Sequence, residues 1–416
     1  MEIWIIQTGE PLHCDDDNSR PMRAMNLANF MIERGHKVVI WSSDFYHQKG
    51  KHRFNEDKTL KISDLLSIEL VNSPGYKNNI GLARLYDHLV LGLRMMKRLK
   101  LKGTTPDLAF IGFPPMEVGY FASYWFRKNN INYVIDIKDP WPDHLVDAFP
   151  KKIRNFIKVL FFPYYVITKS TFYHSKSISA ITEHFLDWSL KLSNRKKKES
   201  DFIFPLVSKM HQENSSRGIE SFQWAKKIMK RERSLNVFFV GTIGKSFNFE
   251  PILKAARYFS ENHIEINFLI CGDGELKSDI ERRSSSLKNI FFTGWINRSE
   301  INVLSSICHL SIAPYINNAT FKNTVSNKMI DYLSLGLPIV TSIDGSGAQY
   351  LKKNNTAIIY DENDYKTLIS EIERSFHEMS NVSEMRLASL NLYKNIYSYE
   401  IVYENAYKKI LGLKDS

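Results

Sequence analysis

Residues 320–342 read TFKNTVSNKMIDYLSLGLPIVTS, and their types and spacing suit the binding of an anion beside sugar hydroxyls. Ser326 stands where it can N-cap a short helix by accepting a backbone N–H of the first turn. Asn327, Lys328 and Asp331 then fall on the first turns, with Lys328 and Asp331 three residues apart on one face. Gly336 and Pro338 stop that helix, because glycine tolerates the left-handed cap and proline cannot continue it. Residues 339–341 follow as a short strand. A helix start presents unpaired N–H groups and the positive end of its dipole, and Lys328 adds a full charge. The Asp331 carboxylate one turn further in can hold hydroxyls. This is the outline of a nucleotide-sugar site.

Other loops carry chemistry at predicted strand ends, where open α/β sheets bind ligands. After the first strand comes Thr8-Gly9-Glu10-Pro11, where glycine permits a close backbone approach. Further on stand Gly241-Thr242-Ile243-Gly244-Lys245 and Gly272-Asp273-Gly274. The first of these lacks the spacing of a Walker phosphate loop, and the Thr8-Gly9 loop lacks the dinucleotide fingerprint, which argues against an ATPase and an NAD enzyme. Asp136-Ile137-Lys138-Asp139-Pro140-Trp141-Pro142-Asp143-His144 follows a predicted strand, so that charges and a ring emerge together there, unless Trp141 packs inward. Asp15-Asp16-Asp17, beside His13, reads as a solvated loop and not as a metal site. His174 and His184 read as structural or solvated.

Elements that position these groups are legible in the apolar periodicity. In the first half, strands are expected at 3–6, 37–41, 67–72, 108–112, 133–137 and 177–181, with helices at 21–34, 81–101 and 116–129. A polar stretch at 193–234 reads as a linker with a connecting helix at 220–231. Alternation then resumes, with strands at 237–240, 266–271, 290–292, 310–312, 338–341 and 357–360 and helices near 250–261, 275–286, 298–306 and 326–335. After 363 the chain reads as all helical, ending in a striped helix over 393–411. Strand–helix alternation of this kind implies parallel sheets with both faces covered.

The 416 residues are 43% hydrophobic and 13% aromatic, which describes a globular chain with large cores. Cys14, Cys271 and Cys308 are odd in number and far apart, so neither a disulfide frame nor a zinc site is expected, and a reducing cytosol fits. No secretory signal is expected at the start and no run is long enough to span a bilayer. The net charge of +11 is uneven, since residues 151–200 hold eleven Lys/Arg against three acids. Within 151–176 the bases interleave with Phe156, Phe161, Phe162, Tyr164, Tyr165, Phe172 and Tyr173, a pattern that suits an anionic membrane surface. Residues 92–102, GLRMMKRLKLK, are a second such stretch; amphipathic helices over a core are the alternative for both. No nucleic-acid motif accompanies the charge.

In sum of motifs, the chain resembles the large retaining glycosyltransferase family of GT-B fold, which includes bacterial O-antigen and capsule sugar transferases. The resemblance covers nearly the whole chain. It rests on Arg34-Gly35-His36-x-Val38, Asp136-x-Lys138-Asp139-x-Trp141-Pro142, Phe239-Val240-Gly241, Gly272-Asp273-Gly274, Phe292-Thr293-Gly294-Trp295 and Ala313-Pro314-Tyr315. Above all it rests on Ser326-Asn327-Lys328-x-x-Asp331-Tyr332-Leu333-x-x-Gly336-x-Pro338. It implies two Rossmann-like doubly wound parallel-sheet domains facing a cleft, with a C-terminal helix returning to the first. The boundaries expected are 1–205 for the acceptor domain, 206–234 for the linker and connecting helix, 235–392 for the nucleotide-sugar domain and 393–416 for the crossover helix.

The same resemblance implies roles. Val325, Ser326, Asn327 and Lys328 would bind the donor diphosphate and Asp331 the ribose. Gly241, Thr242, Lys245, Gly272, Asp273, Gly274 and Trp295 would line the nucleotide, with Gly9 and Glu10 approaching the donor from the N-terminal domain. Lys138, Asp139 and His144 would face the acceptor, with Asp139 as the expected base or orienting group. No metal or other cofactor is expected. The expected partners are a nucleotide-sugar donor, a glycan or lipid-linked acceptor, and an anionic membrane contacted through 151–176; the expected place is the inner face of the cytoplasmic membrane.

Two departures from the family pattern stand out. Asn323 occupies the place of the first acid of a Glu-x7-Glu pair, and Thr242 and Phe247 replace a customary Arg and Lys. A nucleotide-sugar epimerase of the same fold, or a catalytically inactive partner subunit, therefore stays open beside the transferase. Release of nucleoside diphosphate only when acceptor is present favours the transferase over the epimerase, and no thermal stabilisation by any nucleoside diphosphate argues against both.

Overall fold

The computed structural model describes residues 1–15, 21–78, 81–207, 234–317 and 319–413. The expected connecting helix at 220–231 lies outside them, as do Asp16 and Asp17. The chain divides into two compact units, Met1–Pro205 with Tyr403–Ser416, and Leu206–Val402.

The first unit runs β1 (Glu2–Ile6), α1 (Arg23–Ile32), β2 (Lys37–Ser43), β3 (Phe45–Tyr46), β4 (Lys51–His52), β5 (Lys58–Lys61), β6 (Leu66–Val71) and α2 (Leu82–Leu101). It continues with β7 (Leu108–Phe113), α3 (Met116–Lys128), β8 (Tyr133–Ile137), α4 (Asp143–Asp147), α5 (Arg154–Leu160), α6 (Phe162–Tyr173), β9 (Ser177–Ala180), α7 (Glu183–Ser193) and β10 (Phe202–Ile203). Its sheet has the order β10-β9-β8-β7-β1-β2-β6-β5. All neighbours in it are parallel except β5, which returns antiparallel on β6 as a Lys-bearing edge. The central strands β7 and β8 are buried at every position, as strands covered on both faces must be.

The second unit runs β11 (Leu235–Val240), α8 (Glu250–Glu261), β12 (Ile266–Cys271), α9 (Lys277–Arg283), β13 (Ile290–Gly294), α10 (Arg298–Ser305), β14 (Leu310–Ala313), α11 (Ala319–Lys322), α12 (Asn327–Ser334), β15 (Ile339–Thr341), α13 (Ser346–Lys353) and β16 (Ala357–Ile359). The helices α14 (Tyr365–His377) and α15 (Met379–Leu392) close it. Its sheet is parallel throughout, in the order β13-β12-β11-β14-β15-β16.

Two expectations need correction. The terminal helix is not continuous over 393–411: a π-turn at Tyr393–Tyr397 ends at Ser398, whose ψ of 147° is extended, and α16 (Tyr399–Leu411) starts afresh. From Tyr403 onward α16 belongs to the first unit, where Tyr403 and Tyr407 pack on Phe30 of α1. Asp15 is not a solvated loop residue, because the Arg53 guanidinium grips both its oxygens at 2.7 Å and both side chains are buried. The hairpin β3–β4 and the edge β5 were not foreseen, since they are two to four residues long and lack apolar alternation.

Candidate functional site

The second unit gathers its site at the carboxyl ends of β11, β12 and β13. The chain leaves β11 through Gly241 (φ 137°), leaves β12 through Gly272 (φ 138°) and turns again at Gly274 (φ 154°). The Gly241 N–H donates to the Cys271 carbonyl at 2.9 Å, and Gly272 N–H donates to the Gly294 carbonyl at 2.8 Å. A Cβ on Gly272 would collide with the Gly241 carbonyl, and one on Gly274 with the Ile243 carbonyl. These loops can lie against each other only because they carry no side chain there. Gly272→Ala is accordingly expected to cost about 1–3 kcal/mol; a urea midpoint equal to that of the parent would refute this close packing.

Helix α12 approaches the same loops from the other side. Ser326 is its N-cap, accepting the Met329 N–H at 3.4 Å, and the Tyr315 hydroxyl bonds to Ser326 Oγ at 2.9 Å. The Tyr332 hydroxyl accepts Val240 N–H at 3.1 Å and donates to the Ile312 carbonyl at 3.2 Å, which pins α12 to β11 and β14. The Lys328 ammonium donates to the Val240 carbonyl and lies directly over Gly241, where a glycine Cβ would strike it. It also sits 4.1 Å from the Phe239 ring and 4.8 Å from that of Phe247. Burial pushes its pKa down to about 7, with the Asp331 carboxylate opposing the shift. Phe247, in the place of a customary cation, therefore forms the aromatic floor under Lys328.

Asp331 is brought to Arg298, at 3.6 Å, on the first turn of α10. That helix is held by a capping box in which Asn297 and Glu300 satisfy each other's backbone N–H groups. Arg298 and the Phe247–Tyr315 pair were missed in the sequence. The Asn297-x-x-Glu300 box was the available signal for the first; nothing local marks the second, whose rings meet at 4.7 Å across distant segments. Not every expected residue joins this cluster. Lys245 is 81% exposed and pairs with Glu275 at 3.2 Å, while Thr242 and Asn327 are exposed and Trp295 is 76% exposed. Asp273 caps its own turn through Gly274 N–H at 2.8 Å, and Val325 is half-buried against the core. Asn323 accepts from Ser346 at 3.4 Å.

The first unit holds a second concave place, a cavity of about 280 Å³ lined in part by Gly9, Glu10, Lys138 and Asp139. Glu10 is buried and fully engaged: Oε1 meets Lys138 Nζ at 3.1 Å, and Oε2 accepts Ala24 N–H at the start of α1 at 3.0 Å. Asp139 is 44% exposed, with His144 Nδ1 3.7 Å from its carboxylate. The wall that sequence reading missed comes from His47, Tyr76, Arg84, Asp87 and His88. Here the Tyr76 hydroxyl meets His47 Nδ1 at 2.7 Å, Asp87 accepts Gly75 N–H at 2.7 Å, and Arg84 lies 5.0 Å from the Trp141 ring. Burial lowers His88 to about 3, so it is neutral at neutral pH, and behind it burial raises Glu117 to about 7.

Asp136 and Trp141 are corrections to the motif reading. Asp136 is fully buried, held by Arg23 at 2.6 and 2.9 Å and by Ser179 at 2.5 Å, so it braces the unit and meets no ligand. Trp141 packs inward at 8% exposure.

Residues 220–388 match the family model of glycosyl transferases group 1. That stretch, less than half of the chain, is similar to the glycosyltransferase family. A 2-deoxystreptamine N-acetyl-D-glucosaminyltransferase of Niallia circulans is 23% identical over 156 residues, 37% of this chain and 39% of that protein. The match thus spans about two fifths of the curated relative's length. Among solved structures, WaaG, a glycosyltransferase involved in lipopolysaccharide biosynthesis, superposes with a TM-score of 0.62 at 14% identity, covering 99% of this chain and 100% of that one. Sucrose-phosphate synthase from Thermosynechococcus elongatus gives 0.66 at 12%, covering 99% of each chain. Anabaena HepE in complex with UDP-glucose gives 0.60 at 10%, covering 99% and 100%. These likenesses establish the GT-B fold. Among the described residues no helix is long and apolar enough to cross a membrane.

Proposed function

We propose that this chain is a group 1 glycosyltransferase and moves a sugar, with retention, from a nucleoside diphosphate donor to a lipid-linked glycan acceptor in bacterial surface polysaccharide synthesis. It works without a metal, at the inner face of the cytoplasmic membrane. The carrying observation is Lys328, seated over the Gly241 loop at the capped start of α12. Donor phosphates meet there a cation, free N–H groups and a backbone with no side chain in the way. Asp331, oriented by Arg298, takes the ribose hydroxyls. In the first unit the polar cavity suits an acceptor sugar, with Asp139 orienting the attacking hydroxyl and His144 beside it. The UDP-glucose held by HepE and the lipopolysaccharide role of WaaG support the donor and acceptor classes.

A thermal-shift panel of nucleoside diphosphates is the first test, followed by a donor screen by product mass with lipid-linked acceptors. No stabilisation by any nucleoside diphosphate overturns the reading. Asp331→Asn is expected to weaken nucleoside diphosphate binding by about 1.5–3 kcal/mol while leaving inorganic pyrophosphate nearly unaffected. Equal losses for both ligands would move Asp331 from the ribose to the phosphates.

A further inference from the structure

The membrane-like segments at 92–102 and 151–176 lie far apart in the chain, but the fold places them in one layer. Helix α2 packs along α3, and α3 packs along α6. The first of these contacts is close because Gly92 faces the Glu117 backbone and the Phe121 ring, with no room for a Cβ. On α2, the residues Leu82, Tyr86, Leu89 and Leu93 recur at four, three and four positions and are all exposed, Leu82 at 84%. On α5 and α6, Phe156, Val159, Leu160, Phe162 and Val166 are exposed as well, Val159 at 70%. An apolar face of this extent on one layer is rare on a surface left in water.

Charge selects what covers it. The helices α2, α3, α5 and α6 contain two acids, Asp87 and Glu117, and both are buried at 2% exposure. The chain as a whole carries 45 acids in 416 residues, so a layer with no exposed carboxylate on its helices is a marked departure. Lys97 and Lys100 of α2, Lys158 of α5, Lys169 of α6 and the adjoining Lys151 and Lys152 are exposed; Arg154 is paired with Asp147 at 2.7 Å. A second protein with an ordinary mixed surface gains nothing from such a bias. An anionic bilayer gains from both the bases and the apolar side chains between them.

We infer that α2 and the α5–α6 pair together form one interfacial face that seats the protein on an anionic lipid bilayer. This extends the surface beyond 151–176 and gives α2 two duties. Its inward side supplies Arg84, Asp87, His88 and Leu91 to the wall of the cavity, while its outward side supplies the stripe from Leu82 to Leu93 to the lipid. One helix thereby borders both the cavity and the bilayer, so the head of a lipid-linked acceptor reaches the cavity along α2. This last point rests on the proposed acceptor, whereas the docking face does not.

The test is co-sedimentation of the full chain with vesicles of phosphatidylglycerol and phosphatidylcholine, and with phosphatidylcholine alone. One variant carries Leu82→Ser, Tyr86→Ser, Leu89→Ser and Leu93→Ser; a second carries Phe156→Ser, Leu160→Ser, Phe162→Ser and Val166→Ser. Leu387→Ser, an exposed residue of the second unit, is the control. Each set is expected to lower binding to anionic vesicles at least tenfold, with the control unchanged and neutral vesicles binding weakly. Parental binding by the Leu82 set overturns the joint face, and equal binding to neutral vesicles overturns the role of charge. A lipid-free dimer that both sets dissolve would assign the face to a second copy instead. Urea unfolding of the free variants, expected to match the parent, shows that each is folded, and unchanged nucleoside diphosphate thermal shifts keep this result separate from the donor site.

Discussion

Lys328→Ala is expected to weaken nucleoside diphosphate binding by about 1.5–3 kcal/mol, roughly ten- to more than a hundredfold, through loss of a charge-assisted phosphate contact. The pH dependence is the sharper signature. Burial lowers Lys328 to about 7 in the empty site, and a bound diphosphate favours the charged amine. Affinity should therefore be level below about pH 7 and fall as pH rises above it, because binding must then take up a proton. Titration calorimetry in buffers of different ionisation enthalpy reads that proton directly, and the uptake should vanish in Lys328→Ala. A flat affinity between pH 6 and 9 in the parent would remove Lys328 from the phosphate site.

The empty protein should show the opposite linkage. Its Lys328 pKa lies below the unfolded value, so the unfolded chain binds more protons between about pH 7 and 10.5, and stability rises with pH across that window. Below about pH 7 the cost of charging a buried amine is present in full. Lys328→Met is expected to melt at or above the parent temperature at pH 6 while binding donor poorly. A residue that costs stability and improves binding is the pattern of a functional site.

Asp136→Ala is expected to be the most destabilising single change considered, at about 3–5 kcal/mol, because it strands the Arg23 guanidinium in the interior. Arg23 donates to both Asp136 oxygens and to the Phe204 and Pro205 carbonyls, and its guanidinium lies 3.6 Å from the Phe204 ring. This network ties α1 and β8 to the chain as it leaves the first unit. Urea unfolding should show the loss, and near-neutral stability would mean that the pair is not buried as described. Nucleoside diphosphate binding, a property of the second unit, should persist at temperatures where the variant is still folded.

The sequence by itself determined a good deal of this protein. The alternation of apolar runs and amphipathic helices placed the strands of both sheets within a residue or two, apart from the edge strands β5 and β10. The Ser326 cap, the Gly336 stop and the glycines at the ends of β11 and β12 were legible because each answers a local backbone demand that neighbouring residues reveal. Tertiary structure alone decided which charges are free to act. Asp136 and Asp139 stand three residues apart with the same chemistry, yet one is sealed by Arg23 and the other stands 44% exposed. Lys245 and Lys328 were both expected at the donor, but only Lys328 is drawn over Gly241, against the Phe239 and Phe247 rings. The wall of His47, Tyr76, Arg84 and His88, and the union of α2 with α5–α6, likewise depend on residues far apart in the chain. Periodicity and capping are local and can be read in order, whereas burial and pairing depend on which distant segments the fold brings together.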